Sequence, residues 1–297
     1  MKSRITGGLC SPLFSSVVLG RHSVRYYRCN DTGFIQTEEP YWLKEAYSDA
    51  ITQLDIGLLG RNLEKVEFSA SALNKICPPC EHAQRFLDYG GGYGIFVRLM
   101  RDQGFPFELY DPFCNPLFAK NFRLADSQLN VSRFDCVTAW EVFEHLADPV
   151  TTFKKLMGLT DNLLFSTVLV PEPVPINVTD WWYFTPETGQ HVSFFTMPAL
   201  KSVARKLGVH CYSDGVANHL FTRQALKSRI MQPHGFLENI RKRCYSRMAR
   251  WVAPAEREEL RTQDYKMILS SLRRTSDGNP GGESSVSQNG DDGDHRG

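Results

Sequence analysis

A turn rich in glycine stands between a short apolar segment and a helical pattern, at Gly90, Gly91, Gly92 and Gly94. Glycine allows positive φ and lets a ligand lie directly against the main chain. A helix that begins after such a turn presents free N–H groups to a carboxylate or a phosphate. The pattern therefore indicates a site for a dinucleotide or for an adenosyl cofactor.

The residues around this turn distinguish the two ligands. A dinucleotide fingerprint requires a third glycine three positions after the second. Counted from Gly90 and Gly92, that position is Ile95. Asp88 precedes the turn, and its charge suits an ammonium and a sulfonium group better than a pyrophosphate. Asp111, which ends the next predicted strand, is placed to accept both ribose hydroxyls. An adenosyl cofactor with an amino-acid end is favoured.

A parallel sheet is needed to bring these residues together. From about residue 85 to residue 223, apolar runs alternate with helical patterns, which is typical of βαβ units. We predict strands at 85–88, 105–110, 134–140, 163–170, 210–213 and 219–222, with 123–129 as the only candidate for a further strand. We predict helices at 95–103, 149–158 and 197–207, the second with Asp148 as N-cap.

The rest of the chain divides by composition. Residues 16–20 and 23–27 read as a hairpin within a small β lobe, 1–37, that carries cysteines. A helical cover is expected at 38–84, the core at 85–232, a basic helical arm at 233–275 and a disordered tail at 276–297.

The motifs in order resemble a known family. Residues 86–94, Tyr110-Asp111-Pro112 and the segment from Glu141 to His145 are similar to successive motifs of class I S-adenosylmethionine-dependent methyltransferases. The small-molecule branch, with ubiquinone-pathway O-methyltransferases and bacterial sugar methyltransferases, is the most similar. The resemblance covers about residues 85–209 and implies an α/β fold with a Rossmann-like, seven-stranded, mostly parallel sheet and helices on both faces. It also implies S-adenosyl-L-methionine as cofactor and O-methyl transfer to a small molecule such as a sugar or glycan precursor.

The resemblance assigns roles at matching positions. The methionine end of the cofactor would lie among Asp88, Gly90, Gly92 and Gly94, and the ribose would lie on Asp111. Asp126 is a candidate for the adenine contact. Trp140 and Glu141, at the end of a strand, would border the adenosyl group and the methyl-transfer site.

Candidate general bases should lie on loops at the carboxyl ends of the strands. His145 and His191 meet this condition, and Tyr183 lies on the same long segment as His191. Glu141, Glu144 and His145 permit three interpretations: a base beside carboxylates, a divalent-cation site like the metal-binding triplet of some ubiquinone-pathway enzymes, or a helix-capping cluster. We predict no bound metal.

Aromatic residues crowd the segments 181–184 and 190–195. They would either stack on a sugar or ring substrate as part of a lid, or pack a late helix onto the sheet.

Eight cysteines are scattered along the chain, which is typical of reduced thiols in a cytoplasmic protein. Cys10 and Cys29 stand where some sugar methyltransferases carry a zinc ribbon, but half of the ligand set is missing. Cys77 and Cys80, with His82 nearby, have ligand spacing and could complete a site with them. We expect unmetallated thiols in a degenerate ribbon.

The bulk properties exclude little else. The 297 residues carry a net charge of +1, which gives no reason to expect nucleic acid as the main partner, and no apolar run is long enough to span a bilayer. Two alternatives stay open: an NAD-dependent sugar-modifying enzyme, which lacks its third glycine here, and a protein that binds the cofactor or a partner without turnover.

Overall fold

The computed structural model describes residues 1–47, 55–78, 83–129, 131–226, 266, 267, 269 and 270. Nearly all of the predicted arm, the whole predicted tail and Cys80 lie outside these residues. The strands are β1 Cys10–Val18, β2 His22–Cys29, β3 Ile35–Thr37, β4 Phe86–Tyr89, β5 Phe107–Tyr110, β6 Cys136–Ala139, β7 Asn162–Ser166, β8 Ser193–Phe194, β9 His210–Ser213 and β10 Asn218–Thr222. The helices are α1 Leu43–Ala46, α2 Leu58–Ile76, α3 Ile95–Asp102, α4 Asp126–Leu129, α5 Pro149–Leu159 and α6 Met197–Leu207.

The larger sheet positions the predicted site. Its order is β5-β4-β6-β7-β10-β9; the first four strands are parallel, and β10 runs antiparallel to both of its neighbours. The chain leaves β4 towards β5 on one side and returns to β6 on the other side. Open α/β sheets bind ligands at such a reversal, beyond the carboxyl ends of the strands. The glycine turn after β4 and Glu141 after β6 therefore meet at one edge.

Two apolar layers cover this sheet. Alternate residues of each strand point to opposite faces, so Phe86 packs in one layer and Leu87 in the other. Helices α2 and α3 supply one layer, and α5 and α6 supply the other. The Asp148 side chain accepts from the N–H of Thr151 at 3.2 Å, which confirms the predicted N-cap of α5.

The strand proposed at 123–129 is wrong. A 3₁₀ turn, Lys120–Phe122, precedes it, and Asp126–Leu129 is helical. One parallel bridge between Leu109 and Arg123 is all that pairs this segment with the sheet. The described residues thus form six strands of the larger sheet, against seven predicted. Asp126, Ser127 and Gln128 are exposed, so no apolar alternation holds the segment in a strand.

The predicted N-terminal hairpin is formed by β1 and β2, with Cys10 opposite Cys29. It continues through β3 to β8, which belongs to the segment between β7 and α6. The Arg4 guanidinium donates to the carbonyls of Val192, Thr37 and Glu38 at 2.9–3.0 Å and joins these strands further. The small sheet therefore rests directly on the segment that carries Tyr183 and His191.

Within the described part of the chain, no helix combines the length and apolarity that a membrane span requires.

Candidate active site

The glycine turn joins β4 to α3 with a backbone that only glycine tolerates. Gly90, Gly92 and Gly94 have φ of 74°, 55° and 81°. A Cβ on Gly90 would lie 2.8 Å from the Val142 side chain, and one on Gly94 would lie 2.6 Å from Cβ of Ala119. Gly94 is the N-cap of α3 and offers no side chain to its first turn. The first N–H groups of α3 are therefore left for a ligand.

Asp88 is buried beneath the glycine turn. Its side chain is 1% exposed, Thr138 Oγ1 donates to its Oδ1 at 2.6 Å, and its Oδ2 would lie 2.3 Å from a Cβ on Gly91. Burial raises the pKa of Asp88 to about 7, and the nearby Asp111 adds to this effect. In this conformation the carboxyl group supports the turn from below, and its contact with the ammonium group of the cofactor stays a prediction.

Asp111 fastens the glycine turn to the end of β5. One carboxylate oxygen accepts from the N–H of Gly92 at 2.9 Å, and the other accepts from Phe113 at 2.8 Å and Cys114 at 2.9 Å. A carboxylate has about four acceptor positions, so these bonds leave room for about one more donor. Asp111 in this conformation can accept one ribose hydroxyl, whereas the sequence predicted two.

Asp126 lies close to Asp111 although its predicted strand is absent. Tyr110 Oη donates to Asp126 Oδ1 at 2.6 Å. Both acids line an open pocket of about 450 Å³, whose other lining residues are Tyr110, Pro112, Arg123, Leu124, Ala125 and Gln128. A pocket of this size that places two carboxylates beside a glycine turn fits an adenosine group, whose hydroxyls and amino group are donors.

Trp140 and Glu141 follow β6, and each makes contacts with a different part of the protein. The Trp140 ring packs 6.1 Å from Phe68 and 5.8 Å from Phe96, towards α2 and α3, and its buried Nε1 has no partner among the described residues. Glu141 has a φ of 52°, and its N–H donates to Ser166 Oγ at 2.8 Å. Positive φ in a residue other than glycine is strained and concentrates at functional sites.

Four side chains form what we call the acid–histidine cluster: Glu144, His145, Tyr183 and His191. The ring centroids of the two histidines lie 4.7 Å apart, and those of Tyr183 and His191 lie 4.5 Å apart. Tyr183 Oη donates to Glu144 Oε1 at 2.6 Å. The three residues predicted to be catalytic are thus brought together, with Glu144 as the centre of the group.

Several lone pairs in the cluster are left without a donor. His191 Nδ1 lies 2.7 Å from the Tyr183 carbonyl; because a carbonyl only accepts, Nδ1 carries the proton and Nε2 keeps a lone pair. His145 Nδ1 and Glu144 Oε2 are buried and have no hydrogen-bond partner among the described residues. One nitrogen or oxygen of each of these three residues lies within 4.8 Å of the other two.

Burial controls ionisation in the cluster. It lowers the pKa of His145 and of His191, which are therefore neutral imidazoles at neutral pH. It raises the pKa of Glu144 to about 8, and the neighbouring charge of Glu141 acts in the same direction. The pKa of Tyr183 is also raised by burial and by Glu144. The cluster can accept protons or bind a cation.

Two basic residues of α2, Arg61 and Lys65, lie near the cluster, and the sequence did not mark them as site residues. Lys65 Nζ lies 4.0 Å from Glu141 Oε1, and Arg61 pairs with Asp55. Their spacing of four residues places both on one face of the helix. That spacing was visible in the sequence, but the helix was interpreted only as a cover.

The aromatic segments mainly pack the core. Trp181, Phe184, Phe194 and Phe195 are buried, whereas Trp182 is 71% exposed. Packing therefore explains most of these residues, and a role in a lid is left to Trp182 alone.

The structure places Cys77 apart from the two cysteines of the N-terminal hairpin. Cys10 and Cys29 are opposite each other in the hairpin, whereas Cys77 follows α2 and lies near the Asp135 carbonyl. Among the described residues, the cysteines join no group with metal-ligand geometry, so Cys77 does not complete a zinc site with the pair.

The fold is α/β, and the glycine turn lies at the reversal point of its larger sheet. A family model described as a methyltransferase domain matches residues 61–213, just over half of the chain. The chain belongs to this family. It is an S-adenosylmethionine-dependent methyltransferase, so the predicted family, enzyme class and cofactor are confirmed.

Solved structures are similar only at a distance. An O-methyltransferase family protein from Burkholderia thailandensis is 14% identical, with 63% of this chain and 68% of that chain covered and a TM-score of 0.38. An O-methyltransferase family 2 protein from Planctomyces limnophilus, in complex with apigenin, is 15% identical, with 61% and 65% covered and a TM-score of 0.43. At these values they carry no argument about activity. A comparison with curated protein sequences finds no match.

Proposed function

We propose that this protein transfers the methyl group to a hydroxyl oxygen of a small molecule, with sugars and glycan precursors as the first candidate class. S-adenosyl-L-methionine, when bound, supplies an electrophilic methyl group. The glycine turn, Asp111 and Asp126 would hold it, since they combine free helix N–H groups with acceptors for hydroxyl and amino donors.

The acid–histidine cluster carries the proposal. A neutral hydroxyl is a poor nucleophile, so the site must either take up its proton or make the hydroxyl more acidic. His145 and His191 keep lone pairs beside Glu144, in the neutral state that this task needs. These lone pairs serve either by taking the proton or by holding a cation that acidifies the hydroxyl. Tyr183 orients Glu144 and accepts from the N–H of Val168 at 3.2 Å.

The polar surroundings support a hydrophilic acceptor. Lys65 Nζ donates to Asn218 Oδ1 at 2.6 Å and lies beside Glu141, while Tyr47 stands 6.2 Å from the His145 ring. Such a mixture of charged groups and one aromatic face suits a sugar. We also propose a cytoplasmic location, which the six free thiols among the described cysteines support.

The test separates binding from turnover. S-adenosylhomocysteine binding is measured by calorimetry, and conversion of the cofactor is measured with panels of nucleotide sugars, free sugars and phenols. His191→Gln should bind within about twofold of wild type and lose at least about 100-fold in turnover. His210→Gln, at an exposed position on β9, is the matched control and should change neither. Full turnover by His191→Gln would refute the assignment of the cluster, and turnover restricted to phenols would refute the acceptor class.

A further inference from the structure

We propose that Glu144, His145 and His191 bind one divalent transition-metal ion. The inference rests on the proposed function, because it concerns how the cluster prepares the acceptor hydroxyl. The ion would hold the hydroxyl, and the imidazoles would be ligands of the ion. The prediction from sequence contained no metal.

Each of the three residues has an atom free to coordinate. Glu144 is fully buried, yet its Oε2 meets no donor among the described residues, and the same is true of His145 Nδ1. Burial of an unpaired carboxylate oxygen is costly unless something satisfies it. His191 directs its proton to the Tyr183 carbonyl, which leaves Nε2 for a metal.

The remaining atoms of these side chains are held as metal ligands usually are. Metal-binding histidines commonly give their other nitrogen to a backbone carbonyl, and ligating carboxylates are themselves hydrogen-bonded. His191 bonds to the Tyr183 carbonyl, His145 interacts with the Gln190 backbone, and Glu144 Oε1 accepts from Tyr183 Oη. The rings therefore need little reorientation to bind an ion.

Ligand type and spacing indicate the class of ion. Two imidazoles and one carboxylate suit Zn²⁺, Mn²⁺, Fe²⁺ or Co²⁺, whereas Mg²⁺ and Ca²⁺ prefer oxygen ligands. The three ligand atoms lie within 4.8 Å of one another. Ligands at zinc–nitrogen distances stand about 3.4 Å apart in a tetrahedron, so the side chains must close by about 1.5 Å at most.

The other two acids near the cluster each have a basic partner. Asp55 pairs with Arg61, and Glu141 lies beside Lys65. Among the described residues, Glu144 takes part in no salt bridge and bonds only through Tyr183 and its own backbone. The Glu144 carboxyl group is therefore left to bind a cation, which would displace its proton.

The ion would have an open side. As whole residues, His145 and His191 are only partly buried, although His145 Nδ1 itself is covered. Three protein ligands leave at least one position open, as in catalytic metal sites, and an acceptor hydroxyl bound there would be more acidic. Its proton would pass to water as the oxygen takes the methyl group and the cofactor's sulfur keeps the bonding electron pair.

The structure chooses these residues over the triplet suggested by sequence spacing. Glu141 Oε1 accepts from Ser166 Oγ and stands near Lys65, and Glu141 is not among the residues whose ligand atoms meet at the cluster. His191, from a distant segment, takes its place.

The experiment measures metal binding by the untagged full chain. Protein stripped with a chelator is loaded with Zn²⁺ or Co²⁺ and dialysed; metal is counted by mass spectrometry, and Co²⁺ is followed by its visible absorption. We expect about one ion per chain, retained in excess Mg²⁺. His191→Gln and Glu144→Gln should weaken binding at least about 10-fold, whereas Glu141→Gln and His210→Gln should not.

S-adenosylhomocysteine binding reports the folding of every variant. Sub-stoichiometric metal in wild type, or equal binding by wild type and folded His191→Gln, would overturn the metal site. If wild type binds no metal in any assay and still turns over, only the metal site is refuted and the proposed function stands. Stoichiometric metal without any turnover across the acceptor panels contradicts the proposed function and not the site.

Discussion

Asp88 offers a quantitative test of the way the glycine turn is supported. Its carboxyl group is 1% exposed and accepts from Thr138, and its pKa is raised from 3.8 to about 7 by burial. Asp88→Asn keeps the shape of the side chain and the acceptor for Thr138 but removes the titration. The perturbation is therefore confined to the ionisation of one buried group.

The direction of the pH dependence follows from the pKa values of Asp88 in the unfolded chain and in the folded protein. The folded protein holds the Asp88 proton more tightly than the unfolded chain, so this group favours folding fully below about pH 4. That contribution is lost as the pH rises through 7. The shift from 3.8 to about 7 corresponds to about 4 kcal/mol in total, of which about 2.5 kcal/mol falls between pH 5 and pH 8.

The assay is denaturant unfolding followed by tryptophan fluorescence across this pH range. Relative to wild type, Asp88→Asn should gain about 2.5 kcal/mol of unfolding free energy between pH 5 and pH 8. Asp102→Asn, at an exposed position on α3, is the matched control and should follow the wild-type profile. A difference between Asp88→Asn and wild type that stays constant with pH would refute the reasoning, because the buried carboxyl would then titrate normally.

Two further predictions concern the backbone. Gly94 has a φ of 81°, and a Cβ there would lie 2.6 Å from Cβ of Ala119, so Gly94→Ala should lose about 2–4 kcal/mol of unfolding free energy and also S-adenosylhomocysteine affinity. Gly104 has a φ of 87° but open space around it, so Gly104→Ala should lose about 1 kcal/mol of unfolding free energy and no affinity. Equal losses by calorimetry and thermal melting would contradict this steric argument. Arg4→Met, which strands three carbonyl acceptors, should cost about 2–3 kcal/mol in thermal unfolding, and the surface control Arg25→Met about 0.5 kcal/mol; similar costs would show that Arg4 does not hold the small sheet.

The sequence alone determined the elements whose information is local. Glycines that need positive φ mark the turn after β4, and the Asp148-Pro149 pair marks the start of α5. Helix α6 was predicted at its observed bounds, because its apolar period, N-cap and terminal Gly208 agree. The cofactor class followed from Asp88, the glycines and their order along the chain.

Tertiary structure decided what depends on contacts between distant segments. It buried Asp88 under the turn, used most of the acceptor capacity of Asp111 on backbone N–H groups, and replaced a predicted strand by α4. It also joined His145, which follows β6, to His191 beside the small sheet. No local pattern encodes such a meeting, because it depends on how β8 pairs with β3 and how the intervening segment folds. The glycine turn identified the cofactor class, and only the folded chain assembled the acid–histidine cluster.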